Sequence, residues 1–587
     1  MFLQDSLKRS GRQFDKVRTP QETLDWVESR FRDSGISILK ECVRIDKGRL
    51  GIPVYVSRYS PEASSITGTQ KQMGKGVTPE QARCSAVMEL VERFSVFSFL
   101  NEQIFPVLPY GIQDDPKVSL EHLLQAVQCR EDLSSDMQRL LNDFALPWAD
   151  GIHVNRVVFS GNAVSEETAT VNIPFQWFWI INEYNGSASG NSLEEAGVQA
   201  ISEVVERHCC SEITRHKLRT PTIDTSSVTD PVLRELLDRF QSLGINLVLK
   251  DFSLDTGIPT VGAIAWDPST FPERSEIVYT AGTSTSPVRA AVRAITEVAQ
   301  LAGDFDTTGR YLESGLPKFA TLDEAAYVLS SDEKVDLHNM PDCSHDNFRL
   351  EIIDMATRLY KTGFPIYLVD ITHPRLGIPA VYAIMPGNHF RDRTINMDLS
   401  LHLAKLATSG YLQSHEAMVL LERLYAIYPE KYHLAFYLGH LWEQQEEWRE
   451  ASKWMEQALS LGPDADALAD ILCHIGFCLK EMGDIDGAVD YLKRAISEFP
   501  EQRDAWSLLG YCRYVQERYY EAIECFERVI EIDPGSALDY ANIGSNLRKL
   551  GMGQAAQKWY RMALELDPGL EWAREHLSSL EQALNSG

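Results

Sequence analysis

Residues 537–568 read ALDYANIGSNLRKLGMGQAAQKWYRMALELDP, and Pro568 closes a unit that has occurred several times before it. Within the stretch, Tyr540, Ile543, Gly544, Leu547, Ala556, Tyr560 and Ala563 form a fixed pattern of large and small residues. Trp506, Leu509, Gly510, Ala522 and Phe526 hold the matching places one unit earlier. Leu438, Gly439, Trp442, Ala451, Ala458 and then Ile475, Gly476, Leu479, Ala488, Ala495 supply two further copies. Prolines at Pro429, Pro463, Pro500, Pro534 and Pro568 are separated by 34, 37, 34 and 34 residues. A period of that length denotes a stacked array in which each unit is a pair of helices.

The pattern resembles the tetratricopeptide repeat, so residues 394–587 are expected to form an all-α tetratricopeptide repeat superhelix. Gly and Ala at the recurring small positions let the two helices of a pair approach closely while the large residues fill the gap. A degenerate unit is expected from about Asp398 to Pro429, with Lys405 where Gly belongs, and Leu570 to Leu584 reads as an amphipathic capping helix. Such arrays present a concave surface that holds peptides or partner proteins; packing or self-association is the alternative.

Composition bounds the rest. A chain of 587 residues exceeds the roughly 250 to 300 at which single cores stop growing, so it must contain several folding units. Hydrophobic residues at 44% and charged residues at 24% support packed cores rather than disorder. With 84 acidic against 56 basic side chains the formal net charge is −28, a sign that repels phosphate backbones and anionic lipid. Nucleic acid and membrane are therefore not expected as partners. No apolar run reaches the roughly 18 to 20 residues of a membrane span and the first residues lack a signal-peptide core, so a cytoplasmic location is expected. The 10 cysteines are scattered without a CxxC pair, which removes support for a zinc ribbon or a disulfide framework.

Upstream of residue 390 the chain alternates between strand-like and helical segments, a mixed α/β pattern. Val54 to Val56, Thr260 to Ala265, Glu276 to Ala281, Pro365 to Val369 and Ala380 to Met385 read as strands. The last two form a closing pair that ends at Pro386-Gly387. The expected organisation is an N-terminal helical or extended segment (1–49), an α/β domain (50–393) and the repeats (394–587).

Three helical segments carry groups capable of chemistry. The first follows Gly74-Lys75-Gly76-Val77-Thr78-Pro79-Glu80-Gln81, where Thr78 can cap, Pro79 suits the first helical position and Gln81 can complete a capping box. Along it Ser85, Glu89, Glu92 and Arg93 share one face, opposite Val87, Leu90, Val91 and Phe94. The second follows the Gly/Ser-rich loop Asn185 to Ser192 and bears Glu195, Glu203, Glu206 and Arg207, so that Glu-x-x-Glu-Arg occurs again. Carboxylates three residues apart repel, more so where Ile201, Val204 and Val205 exclude water, and something positive should sit between them. Mg²⁺ meets that need, because it takes oxygen ligands and typically one or two carboxylates plus substrate phosphates. The third segment places Arg289, Arg293, Glu297 and Gln300 along one side of a helix; Arg forks suit phosphate oxygens and Lys75 could reach one as a point charge.

Blander readings exist for each feature. A single Glu-x-x-Glu-Arg is common on solvated helices, and it is the second copy behind a Gly-rich loop that argues for a site. Gly74-Lys75-Gly76 is not a Walker A loop. His208, Cys209 and Cys210 have no metal-ligand spacing and read as a packed helix end. Arg293 and Glu297 could be an intrahelical ion pair.

Together, Gly74-Lys75-Gly76, Ser85 through Glu89 and Glu92 to Arg93, Asn185-Gly186 through Gly190-Asn191-Ser192 to Glu195, Glu203 and Glu206-Arg207, and Arg293 through Glu297 to Gln300 resemble the YcaO family. Asp370-Ile-Thr372 and Pro386-Gly387 also match. The resemblance implies a non-Walker ATP site in which glutamates bind Mg²⁺ and ATP phosphorylates a peptide backbone amide oxygen after a nucleophile adds, yielding azolines, amidines or thioamides. Phosphorylation turns a poor leaving group into phosphate. Carried over by motif, Glu89, Glu92, Glu195, Glu203 and Glu206 would be Mg²⁺ ligands or lie just behind them, while Lys75, Ser85, Arg93, Arg207, Arg293, Glu297 and Gln300 would surround the nucleotide.

Two departures concern local contacts: His208 stands where many members have Asp, and Ala302 where many have Arg. The repeats also replace the proline-rich tail of azoline-forming members, which weakens the case for azoline formation on a natural-product precursor. A tetratricopeptide extension is similar to stand-alone members, some linked to methylthiolation of a ribosomal protein and others to thioamide formation with a TfuA-like partner. The expectation is an ATP-dependent enzyme acting on a peptide or protein, as in cyclodehydratase or thioamide chemistry, with substrate or partner recruited by the repeats. The alternative is an ATP-binding accessory protein with no chemistry of its own. A homodimer is expected from the family alone.

Overall fold

In the computed structural model, the described residues are 3–585 apart from 10–14, 70, 103–104, 115, 130–132, 155–156, 161–162, 167–168, 307–315, 332 and 390–397. The expected boundary at 393/394 lies outside them. Two compact units are present, Met1–Leu399 and Ser400–Gly587.

The first unit is mixed α/β. One sheet has the strand order Ser187–Ser189, Ala380–Ile384, Tyr367–Asp370, Ala145–His153 and Val107–Pro109, with Ala169–Pro174 also paired to Ala145–His153. Its closing strands pair antiparallel, Tyr367 opposite Ile384 and Asp370 opposite Val381. Ser187 lies opposite Tyr382, so the Gly/Ser-rich loop is built into the sheet as its edge strand. A second sheet runs Val278–Thr283, Thr260–Trp266, Asn246–Asp251, Thr222–Ile223 and Lys334–Val335. A third is the meander Leu39–Arg44, Val54–Tyr59 and Lys71–Lys75.

Three helices cover these sheets. Pro79–Glu102 lies on the meander and buries Val87, Leu90, Val91 and Phe94, the apolar side read from the sequence. Thr78 Oγ1 accepts from Gln81 N at 3.3 Å. The second half of the capping box shifts by one residue, because Gln81 Oε1 accepts from Val77 N at 3.1 Å. Leu193–His216 starts at Ser192, whose Oγ accepts from Glu195 N at 3.1 Å, and packs against Ser187–Ser189, Ala380–Ile384 and Val278–Thr283. Pro287–Ala302 covers the second sheet through Ala290, Ala294, Ile295 and Val298. Gly282 allows that approach: a Cβ there would stand 2.5 Å from Ala290 O and Ala294 N.

The N-terminal segment belongs to this unit. Lys8 is buried, with Nζ 2.6 Å from Asp15 Oδ1 and 2.5 Å from Glu351 Oε1. Leu3 and Val17 pack onto the core around the Leu193–His216 helix.

The second unit is a run of helix pairs: Leu399–Ala407 with Ser414–Ile427, Tyr432–Gln444 with Trp448–Ser460, Ala465–Glu481 with Ile485–Glu498, Arg503–Val515 with Tyr519–Ile532, and Ala537–Lys549 with Gly553–Leu566. Glu571–Asn585 packs on the last pair. The recurring glycines explain the pattern, since a Cβ at Gly476 would meet Leu492, one at Gly510 the Phe526 ring and one at Gly544 the Tyr560 ring. Ala451, Ala488, Ala522 and Ala556 are fully buried at the facing positions.

Candidate functional site

Charged residues from the three helices meet above the ends of two strands. On Pro79–Glu102, Arg93 Nη1 lies 2.9 Å from Glu92 Oε1 and Nη2 3.9 Å from Glu89 Oε1. On Leu193–His216, Arg207 lies 3.5 Å from Glu203 and 3.9 Å from Glu206. Lys75, at the end of its strand, pairs with Glu297 of the third helix. Arg293 Nη1 donates to Gln199 Oε1 at 2.8 Å, which ties the third helix to the second.

These side chains are largely withdrawn from solvent, and their proton affinities show it. Burial pushes the Glu92 carboxyl up to about 8, with Arg93 pulling the other way and Glu203 adding to the rise. Glu89 is raised for the same reason, against Arg93 and Lys75. Burial and the neighbouring Arg293 bring Lys75 down to about 8, although Glu206 and Glu89 oppose them. For Arg93 the cost of burial is outweighed by Glu92, Glu89 and Glu203, and its affinity rises. Arg207 behaves likewise through Glu203 and Glu206. Residues far apart in sequence therefore share one electrostatic environment, and the resident cations do not fully offset the buried acids.

The structure brings Lys75, Glu89, Glu92, Arg93, Glu203, Glu206, Arg207, Arg293 and Glu297 together. Ser85 precedes Glu89 by one turn and Gln300 follows Glu297 by about one, both half-buried. Glu195 stands apart. It is buried in the first turn of its helix, about 12 Å before Glu203 by helical rise. There Oε2 accepts from Val17 N at 2.9 Å, Asn191 Nδ2 donates to Oε1 at 3.0 Å, and Lys16 lies 3.4 Å away. His208 is not at a helix end as expected but lies within Leu193–His216, about two turns before its last residue; its Nδ1 accepts from His389 N at 3.2 Å, and burial takes its imidazole down to about 3, so it is neutral.

Four contributors were missed in the sequence reading. Ser187 Oγ donates to Glu92 Oε1 at 2.8 Å and accepts from Arg93 at 3.1 Å. The Tyr184 ring lies 4.1 Å from the Arg93 guanidinium carbon, and its carbonyl accepts from Nη1 at 3.2 Å. Thr283 N donates to Glu206 Oε2 at 2.8 Å. Gln199 was the one with a local signal, since it sits one turn before Glu203 on the same face.

Comparison with known proteins gives the family of the chain. The family model described as YcaO cyclodehydratase, ATP- and Mg²⁺-binding, matches residues 73–389, which is more than half of the chain. The chain belongs to the YcaO family. A tetratricopeptide repeat model matches residues 479–537. An uncharacterized protein of Methanothermobacter thermautotrophicus is 28% identical over 381 residues, 63% of this chain and 93% of that protein. An uncharacterized protein in the tfuA 3′ region of Rhizobium leguminosarum bv. trifolii is 27% identical, covering 66% of this chain and 92% of its own length. A heterocyclase solved in complex with substrate and cofactor shares the fold, with a TM-score of 0.50 and 20% identity over 66% of this chain. This chain spans 54% of that heterocyclase.

ATP and Mg²⁺ are the cofactors of the YcaO family, and the donor set fits them. Carboxylate oxygens from two helices suit a hard cation, and guanidinium groups suit phosphate. The Arg293 Nε is buried without a hydrogen-bond partner, as a donor reserved for an anion would be. One expectation is altered. The positive groups lying between the paired glutamates are Arg93 and Arg207 themselves. Among the described residues, no three of the site's carboxylates bring their oxygens within 4.8 Å of one another. The glutamates form two Glu-Glu-Arg clusters rather than one closed cage.

Proposed function

We propose that this YcaO protein uses ATP and Mg²⁺ to activate a backbone amide of a peptide or protein. The observation that carries the reading is the meeting of Glu89, Glu92, Glu203 and Glu206 with Lys75, Arg93, Arg207 and Arg293 from three helices and a strand end, partly removed from water. Glu89, Glu92, Glu203 and Glu206 hold the metal, while Glu195, apart from them, orders the loop through Asn191. Lys75, Arg93, Arg207 and Arg293 face the phosphates, with Ser85, Glu297 and Gln300 at the border of the nucleotide.

When bound, Mg·ATP supplies the phosphoryl group that turns an amide oxygen into a phosphate leaving group. The chain's own part is positioning and charge. Arg93 is aimed by Ser187 and Tyr184, and Arg293 by Gln199, so neither must reorganise far to meet a phosphate. The half-excluded setting strengthens every one of these interactions. The repeats recruit the peptide, the protein substrate or a partner of the TfuA-like kind, and the product is a dehydrated or thioamide-type backbone.

The test uses the full chain with ATP, Mg²⁺ and candidate peptides, following phosphate release and peptide mass together. Phosphate release matched to loss of water, or to exchange of oxygen for sulfur, supports the enzyme. Tight ATP binding without turnover across substrates and partners would establish an accessory role instead. Glu203→Gln with Glu206→Gln should weaken Mg·ATP binding while the repeats stay folded, and unaltered affinity would show that the site is misplaced.

A further inference from the structure

A second cluster of metal-binding side chains lies in the repeats, far from the chemistry above in sequence and independent of it. His440 and Glu443 occupy one face of the Tyr432–Gln444 helix at a three-residue spacing, and His474 comes from the next first-of-pair helix, Ala465–Glu481. One donor atom from each lies within 4.8 Å of the other two. His474 Nδ1 is 2.9 Å from Glu443 Oε2, and His440 Nδ1 is 3.3 Å from the same oxygen. Ligands about 2.0 to 2.1 Å from a tetrahedral zinc ion stand roughly 3.3 Å from one another, so these separations are close to those of a filled site.

We propose that His440, Glu443 and His474 form a transition-metal site selective for Zn²⁺. Two imidazoles and one carboxylate favour zinc over Mg²⁺ or Ca²⁺, which prefer all-oxygen shells. Three protein ligands leave one position open. Glu443 and His474 also line a pocket of about 390 Å³ whose other walls include Asp470, Phe477 and Asp504, and water in that pocket supplies the fourth ligand.

The surroundings orient the ligands as a metal site requires. Glu443 is buried, and an acid out of water needs a strong positive partner. Phe436 packs against both rings, its centroid 5.4 Å from His474 and 6.5 Å from His440. Gln444 Nε2 lies 3.3 Å from His440 Nε2, and with its amide turned over the side chain would accept from Nε2–H while Nδ1 faces the metal. Cys478 Sγ, one turn past His474, donates to Glu443 Oε1 at 3.4 Å and holds the carboxylate in place.

The experiment strips the full chain with chelator, saturates it with Mg²⁺ and the nonhydrolysable nucleotide AMP-PNP, dialyses it against micromolar Zn²⁺ and measures bound metal per chain. The wild type should retain one more Zn²⁺ than the His440→Ala/His474→Ala variant, and zinc should raise the melting temperature of the repeat unit only in the wild type. His440→Gln and His474→Gln singly should each weaken zinc binding by more than about tenfold, and they decide the matter if the double variant does not fold. Equal zinc in wild type and variants, or none in the wild type, would overturn the proposal and leave a hydrogen-bonded Glu–His cluster.

Discussion

Arg293 Nη1 and Gln199 Oε1, 2.8 Å apart, join two helices whose residues are 94 positions apart in the chain. The bond leaves Nε buried and without a hydrogen-bond partner, so one donor of Arg293 is unused. Arg293→Ala should therefore reduce Mg·nucleotide affinity by about 10- to 100-fold, since a hydrogen bond from a charged donor contributes roughly 1.5 to 3 kcal/mol. Gln199→Leu should lose less, because the guanidinium stays and only its aim is relaxed. Equilibrium binding of a fluorescent ATP analogue would rank the two, and equal losses would contradict a positioning role for Gln199.

Glu92 makes the site sensitive to pH. With its carboxyl raised from 4.5 to about 8, the metal-free folded chain keeps a proton across that window that the unfolded chain has lost. This group therefore makes the metal-free fold less stable as pH rises from about 5 to 8. A metal ligand must be deprotonated, so Mg·nucleotide binding near pH 7 should release protons and should tighten as pH rises toward 8. Calorimetric binding enthalpies in buffers of different ionisation enthalpy would count the protons. Glu92→Gln should lower the count.

Lys8 anchors the N-terminal segment through a buried charge. Glu351 is fully buried and also accepts from Thr285 Oγ1 at 2.8 Å and His345 N at 3.1 Å. Lys8→Met leaves that carboxylate without its cation and should destabilise the α/β unit by about 3 to 5 kcal/mol. Adding Glu351→Gln should recover part of the loss. The readout is the calorimetric transition of the α/β unit, with that of the repeats unmoved.

Gly282→Ala tests the close approach of the Pro287–Ala302 helix to its strand. The added carbon meets backbone atoms that have no side-chain freedom, so the change should cost about 1 to 3 kcal/mol or more. Its neighbour Thr283 donates to Glu206, and nucleotide affinity should fall with stability. Gly244→Ala, where an added carbon meets nothing, provides the comparison for backbone strain, because φ there is +71°.

The repeat array could be read from the amino acids alone, because each helix pair is packed by neighbours within about 34 residues and the same Gly, Ala and aromatic spacing must recur for the pairs to fit. The two Glu-x-x-Glu-Arg faces were equally legible, since helical periodicity sets which side chains share a side. Tertiary structure decided what those faces meet. It seated Ser187 and Tyr184 on Arg93, placed Thr283 N against Glu206, and gave Glu195 to the N-terminal segment, all through contacts 77 to 178 residues apart. It also set His474 beside Glu443, 31 residues away, where neither residue alone carries a metal-binding spacing. Local periodicity specifies the orientation of a side chain on its own helix, but the partner it finds depends on how separately formed cores pack, and no short window of residues encodes that.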